Sequence, residues 1–360
     1  MARRHAVRCR VYDIQRRHCS GYDARPASDH DGNAISALKC RIRSIAVVFL
    51  SLLFWPRSPR PGSCFQNGTR RPAMRTQTMR LNSPDRFAVI LGTNEIASAV
   101  AVLLRRNGYG VVLSHDPLPP VIRRKMAFHD ALFEDAVSVA GVAAQRADTG
   151  FEIRASFGRA PGVLVTELGL LDLIVLRSLD ILVDARMQKY LATPDLRRLA
   201  RLTIGLGPGF CGGSNCDVAI ETWPGKAGQI VRQGPADPPD GVSRRLGNHW
   251  GERFVRSECS GRWKTAIEIG TRVFKDYVVG HLGNIPVRAP FDGILRGVVR
   301  DGTEVPSGVK LLEIDSRGRK ANWTGIDSRG QLIANAVAKA ISLHQPNVPE
   351  KTGQTLHLVK

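Results

Sequence analysis

Residues 257–282 read SECSGRWKTAIEIGTRVFKDYVVGHL, and residues 289–314 read APFDGILRGVVRDGTEVPSGVKLLEI. They are one segment written twice, thirty-two positions apart and without a gap. Gly261 falls on Gly293, Gly270 on Gly302, Thr271 on Thr303 and Val273 on Val305. Apolar positions keep the same offset, with Ile267 on Val299, Val279 on Leu311 and Leu282 on Ile314. A short repeat with turn glycines at fixed places marks one supersecondary unit used twice, because a single copy cannot bury its apolar face. Pro290-Phe291-Asp292-Gly293 and Arg300-Asp301-Gly302-Thr303 supply turn chemistry between alternating apolar runs, so each unit reads as strand–turn–strand. Two such halves are expected to interlock as a small all-β sandwich or flattened barrel over residues 250–318.

The stretch Val287–Ile294, followed by Gly302-Thr303-Glu304-Val305 and Gly308-Val309-Lys310-Leu311, resembles the biotinyl/lipoyl-carrier fold, a barrel-sandwich hybrid. In that family the cofactor sits on a lysine at the hairpin tip that joins the two halves. The corresponding tip here is Gly283-Asn284-Ile285-Pro286, and Lys275 and Lys310 lie inside the repeat units. A swinging arm needs an amine at the tip to form its amide. The module is therefore expected to carry neither biotin nor lipoate.

At 360 residues the chain has room for two domains. The net charge of +20 invites a nucleic-acid reading, but the charge is unevenly placed. Residues 1–84 hold sixteen Lys/Arg, four Asp and no Glu, and four of the seven cysteines (Cys9, Cys19, Cys40, Cys64). That stretch shows no sustained period of 2 or 3.6. Its one apolar run, Ile45–Trp55, is too short to span a bilayer and has the length of a signal-peptide core. Coherent patterning begins after Met79, so residues 1–84 are expected to be disordered, or an extension upstream of a true start at Met74 or Met79. From Arg86 onward nothing has the length and apolarity of a membrane span. Cys211, Cys216 and Cys259 are sparse and odd in number, which suits a reducing cytoplasm better than a disulfide framework. Arg123-Arg124-Lys125 reads as a solvated helix face without interleaved aromatics, and no nucleic-acid partner is expected.

Phe87–Leu91, the helical pattern from Glu95 to Asn107, the stop at Gly108 and Val111–Leu113 form a β-turn-α-β unit of the kind that opens a Rossmann-like sheet. Further strands are expected at Val163–Thr166, Ile181–Val183, Thr203–Leu206 and Val218–Glu221, with helices around Leu171–Leu179 and Pro194–Ala200. The alternation predicts an α/β domain over 85–235. A linker rich in Pro, Gly and Asp covers 236–249, a C-terminal helix region 319–345, and a tail 346–360.

Candidate ligand-binding residues cluster where such sheets place their sites, after the carboxyl ends of strands. Gly92 opens the first turn, although Thr93-Asn94-Glu95 lacks the further glycines of a dinucleotide fingerprint. Gly205, Gly207 and Gly209 form a tight loop after a strand, either a phosphate cradle or a plain turn. Asp184 and Arg186 can meet a ligand hydroxyl and a phosphate, or pair with each other. Glu221 and Thr222 follow the next strand. Cys216 is the candidate catalytic nucleophile if the loop amides lower its pKa, and a packed side chain otherwise. Cys211 and Cys216 lack the further ligands of a structural zinc site, and no metal is assigned.

Taken together, Ile181–Met187, Ile204–Phe210, Cys216–Thr222 and Ala289–Gly293 resemble the selenium-dependent molybdenum hydroxylase system protein family, over about Phe87 to Ser342. This sequence departs from the family's Gly-Ala-Gly-Asp first turn, has His115 where an acid is usual, and has Lys226 where a histidine follows the Glu-Thr pair. The resemblance implies an accessory role in maturing, or inserting cofactor into, a xanthine dehydrogenase-like molybdenum hydroxylase. The implied ligand is of the molybdopterin-dinucleotide type. Two other readings stand beside it: a nucleotide-dependent oxidoreductase using the same crevice, and a non-enzymatic docking scaffold for the hydroxylase.

With Asn284 and Ile285 at the tip, the intact mass of protein co-expressed with active biotin and lipoate ligases is expected to show no adduct on Lys275 or Lys310.

Overall fold

The computed structural model describes residues 86–133, 136–156, 162–189 and 191–344, all of which fall within one unit, Thr76–Lys360. The expectations for residues 1–84, including the run Ile45–Trp55, and for the tail 346–360 lie outside the described residues.

The first part is a nine-stranded mixed sheet. Its elements are β1 (Phe87–Leu91), α1 (Glu95–Arg106), β2 (Gly110–Ser114), β3 (Val137–Val139), β4 (Val142–Arg146), α2 (Gly150–Ser156), β5 (Val163–Thr166), α3 (Leu170–Ile174), β6 (Leu179–Asp184), β7 (Ala200–Leu206), β8 (Cys211–Gly212), β9 (Val218–Ile220), β10 (Ile230–Val231) and β11 (Gly234–Pro235). The strand order is β10-β9-β7-β6-β1-β2-β5-β4-β3, parallel from β4 to β9 with antiparallel strands at both edges. β8 and β11 pair separately.

A parallel sheet covered on both faces buries every residue of its central strands, which is why β1 reads as an unbroken apolar run. Alternate side chains serve opposite faces: Ala88 and Ile90 join one core, Phe87, Val89 and Leu91 the other. Asn94 caps α1 by accepting from the Ile96 and Ala97 amides, both at 3.0 Å. The chain's last helix, α4 (Ser328–His344), packs on α1, with Gly330 set against Ala99. It thus completes the layer over a sheet whose strands ended about a hundred residues earlier.

The second part contains β12 (Phe254–Arg256), β13 (Gly261–Lys264), β14 (Arg272–Val273), β15 (Val278–Leu282), β16 (Ile285–Arg288), β17 (Gly293–Val298), β18 (Glu304–Val305) and β19 (Lys310–Asp315). The sequence repeat maps β13 to β17, β14 to β18 and β15 to β19, and the same offset of thirty-two carries β12 onto β16. One four-stranded sheet runs β12-β19-β17-β14 and the other β16-β15-β13-β18. Exchanging each strand for its repeat mate converts one order into the other. Each sheet therefore draws strands from both halves, and neither half has a sheet of its own. The shared core is centred on Trp263, wholly buried, whose indole N–H donates to the Val299 carbonyl at 3.1 Å. The hairpin between β15 and β16 turns on Gly283-Asn284.

Two local expectations differ from the structure, and one hairpin was not expected at all. Pro194–Ala200 is not helical: Asp195 accepts from the Arg197 amide at 3.0 Å and pairs with its guanidinium, a local turn that competes with helix. The helix expected at Leu171–Leu179 is cut to α3, because Leu179 already belongs to β6. The hairpin β3–β4, turning on Ala140-Gly141 with both at positive φ, went unread among Ala, Gln and Arg.

The two parts meet on a buried ionic seam. Glu313 of β19, wholly buried, accepts from Arg123 at 2.7 and 3.1 Å and from Arg253 at 2.9 Å, and lies 3.7 Å from Arg296. Arg123 also donates to Glu95 in the first turn of α1, at 3.0 Å. Arg124 donates to the Val298 carbonyl and pairs with Asp130 at 2.6 Å. The expected solvated face at Arg123-Arg124-Lys125 is thus wrong for two of its three residues; only Lys125 is exposed.

Burial alone would push the Glu313 carboxyl up, but the Arg123 charge and hydrogen bonds, with Arg296 and Arg253, outweigh it and hold it at about 2. Its ordinary value is 4.5, so its contribution to stability is complete above that pH and is lost as pH falls toward 2. Glu313→Gln should lower stability by about 3–5 kcal/mol, because it strands buried arginines. It should also flatten the acid limb of the melting-temperature profile between those pH values, measured by thermal denaturation.

Candidate functional site

The order of the sheet reverses at β1: the chain builds outward through β2, then returns to lay β6, β7 and β9 on the other side. In open α/β sheets this switch point leaves a crevice at the carboxyl ends of the strands. All eight residues assigned to ligand binding from the sequence lie on that edge.

Asp184 ends β6 and is 2% exposed. Its carboxylate accepts from Arg186 through Nη2 at 2.6 Å and Nε at 3.1 Å, and from the Arg186 amide at 3.1 Å. Asp116, just past β2, lies 3.8 Å from Nη1 and accepts from Gln188 at 2.9 Å. Arg186 is thus bracketed by two carboxylates. Asp184, Arg186, Leu206, Pro208 and Phe210 line one slot with Lys189 at its rim. Its free space of about 20 Å³ holds one water.

The glycine loop is shaped by the protein's own side chains. A Cβ on Gly205 would meet the Phe210 ring at 2.1 Å. Gly207, at φ +84°, faces the Thr222 hydroxyl, 2.4 Å from where a Cβ would sit. Gly209 is likewise set against Thr193. Glu221 is 3% exposed; its Oε1 accepts from the Asp237 amide, while Oε2 has no hydrogen-bond partner among the described residues. Gly92, at φ +104°, has its open side against the Ala185 carbonyl, where a Cβ would approach to 3.0 Å. Asn94 donates to that same carbonyl at 2.7 Å. The first turn is therefore docked on the Asp184–Arg186 loop.

Sequence reading missed a polar group on the same edge. The Thr93 hydroxyl lies 3.0 Å from His129 Nδ1 and 3.3 Å from His115 Nδ1. A hydroxyl has one proton to give, so if it bonds to both rings it donates to one and accepts from the other. The two neutral imidazoles then hold opposite tautomers. Burial is the main force keeping both neutral. It takes His129 down to about 3, helped by His115, Arg124 and Arg300, and it lowers His115 against the pull of Glu167 and Asp116. His115 directly follows β2 and was legible as an edge residue. His129 arrives from an irregular stretch, and nothing in its local pattern marks it.

Cys216 sits in the packed arrangement, the alternative to the catalytic one. It is wholly buried, packed in the core with Phe210 and Ala219, and burial pushes its thiol up to about 12 despite backbone hydrogen bonds from Gly205 and Cys211. Burial thus outweighs the pull of the loop amides on this thiol. Among the described residues no three His, Cys, Asp or Glu side chains are grouped to hold a metal ion, and no helix is long and apolar enough to cross a membrane.

No family model matches the chain. It is 30% identical over 269 residues to the uncharacterized protein YqeB of Escherichia coli (strain K12), a match covering 72% of this chain and 48% of YqeB. The chain thus spans about half the length of that curated relative. Among solved structures, the ectoine utilization protein EutE (DoeB) of Ruegeria pomeroyi matches at 12% identity and a TM-score of 0.20, over 64% of this chain and 86% of that one. A succinylglutamate desuccinylase/aspartoacylase of Rhodobacter sphaeroides matches at 14% and 0.19, over 64% and 85%. Likenesses this low carry no argument about the site.

Site-mapped alkylation at pH 8 should modify the exposed Cys259 and leave Cys216 unreacted until the protein unfolds. Equal labelling rates in the native state would restore Cys216 as a nucleophile.

Proposed function

We propose that this protein is a cytoplasmic accessory factor in the maturation of a molybdenum hydroxylase, binding a phosphate-bearing pterin nucleotide at the carboxyl edge of its sheet. The fold implied is Rossmann-like, followed by a barrel-sandwich module that lacks the carrier lysine. One observation carries the reading: three motifs far apart in sequence converge there. Asp184 and Arg186 share a slot with Pro208 and Phe210 of the glycine loop, and Gly207 of that loop rests on Thr222 of the Glu-Thr pair. These are the motifs that carry the family resemblance.

The slot sets a limit on how such a ligand is held. A space of about 20 Å³ excludes a pterin or nucleoside ring, so only a phosphoryl oxygen enters, and the ring lies outside it. Arg186 is the cation within reach, with Lys189 at the rim. To take a phosphate, Arg186 exchanges its looser partner Asp116 for the anion and stays oriented by Asp184. The reading is one of binding and delivery. A docking scaffold is the second reading, favoured by the fact that Arg186 is already bracketed by carboxylates.

Calorimetry with pterin dinucleotide released from a purified molybdenum hydroxylase tests the proposal. Arg186→Ala should weaken binding by about ten- to a hundredfold, the loss of a charge-assisted hydrogen bond worth roughly 1.5–3 kcal/mol. Arg186→Lys should recover only part, because an ammonium lacks the fork that keeps Asp184 engaged. Hydroxylase produced in cells lacking this chain should be deficient in cofactor. Folded Arg186→Ala protein with unchanged affinity, and a fully loaded hydroxylase without this chain, would leave the edge a structural feature.

A further inference from the structure

Away from the slot, a larger cleft of about 600 Å³ opens between the segment that follows β9 and the loop that leads into β12. Trp223 and Pro224 line it from the first segment, and Asp240, Arg244, Arg245 and Trp250 line it from the second. Both tryptophans line one open cleft, and Trp250 is 50% exposed. The arginines are not compensated: among the described residues neither Arg244 nor Arg245 has a carboxylate in ion-pair range, and Arg245 donates only to the Gly247 carbonyl, at 2.9 Å.

Each segment is fastened by an arginine that grips backbone. Arg253, 5% exposed and paired with Glu313, donates to the carbonyls of both Arg244 and Trp250. Arg329, in the first turn of α4, donates to the Thr222 carbonyl at 2.9 Å, just before Trp223. The backbones that carry the indoles and guanidiniums are therefore held in place before any ligand arrives, which reduces the ordering cost of binding. Asp240 accepts from the Val242 amide at 2.9 Å through Oδ1, and Oδ2 has no hydrogen bond among the described residues.

The geometry points to this cleft as a nucleotide-binding site for a guanine- or pterin-type ring carrying phosphate. Indole faces stack on a planar heterocycle, and paired guanidiniums take a phosphate. A carboxylate in the same cleft would repel a bare anion. It selects instead a ring that offers adjacent N–H and amino donors, as guanine and pterin do and adenine does not. The volume falls in the range of small-molecule sites, which the slot does not. The inference stands on this cleft alone and does not need the hydroxylase reading.

Calorimetry on the full chain with GDP, ADP, guanosine and pyrophosphate tests it. GDP should bind, with ADP, guanosine and pyrophosphate each weaker by about tenfold or more. Trp250→Ala should weaken GDP and guanosine but not pyrophosphate, and Trp250→Phe should recover most of the loss. Arg244→Ala with Arg245→Ala should weaken GDP and pyrophosphate and spare guanosine. Asp240→Asn, which keeps the turn to Val242, should erase the preference for GDP over ADP. Circular dichroism and melting establish that each variant is folded. The proposal is overturned if GDP gives no heat at about 5 mM, a level at which even a millimolar site shows. It also fails if folded Trp250→Ala and Arg244→Ala/Arg245→Ala bind GDP as the wild type does. GDP binding lost in Arg186→Ala but untouched by every cleft variant would place the nucleotide in the slot and refute the cleft site.

Discussion

The carboxylate of Glu313 has no exposure to solvent and lies within reach of three arginines from three parts of the chain. A charge so placed is tolerated only with partners, and an arginine so placed only with a carboxylate. Arg123 comes from the irregular segment after β2, Arg253 from the loop before β12, and Arg296 from β17. Each also holds something else: Arg123 the Glu95 carboxylate at the head of α1, Arg253 two carbonyls of the cleft loop, Arg296 the Asn322 carbonyl and Asp327. The seam therefore fixes the β module to the sheet, the approach to α4, and one wall of the cleft at once.

That arrangement changes the meaning of the basic composition. The surplus of positive charge lies mostly in residues 1–84, and in the described part several arginines are consumed internally. Arg123, Arg124, Arg253 and Arg296 are inside the fold and paired. Among the described residues, Arg244 and Arg245 stand in the cleft with no carboxylate in ion-pair range. That contrast, between arginines used as cement and arginines left uncompensated, marks the cleft as a candidate anion site.

The glycine loop shows a related division. Glycines after a strand suggest amides brought close to an anion, yet at Gly205 and Gly207 the missing Cβ makes room for Phe210 and Thr222. The loop is thereby folded onto its neighbours and closes the slot beside Arg186. Its proposed role is to limit what enters and to support Thr222. Cys216 belongs to the same packing, which is why its thiol is driven up by burial.

Much of the fold was legible because its signals are local. The unbroken apolar run Phe87–Leu91, the Asn94 cap and the amphipathic stretch after it specify a strand and helix by short-range sterics and solvent preference. The thirty-two-residue repeat specified the strands of the β module, since equal patterns bury equal faces. Asp184 and Arg186, two residues apart, could be seen as partners from the chain alone. What the sequence did not reveal depends on neighbours distant along the chain. Nothing near Arg123 announces that Glu313, 190 positions away, will neutralise it, so the basic run looked solvated. His129 has meaning only beside Thr93, and Trp250 only in the cleft that Trp223 also lines. α4 reads as a separate helix until α1 supplies the surface that it covers. Periodicity and turn chemistry act over a few residues, whereas pairing a buried charge or closing a cleft needs groups that only the folded chain brings together.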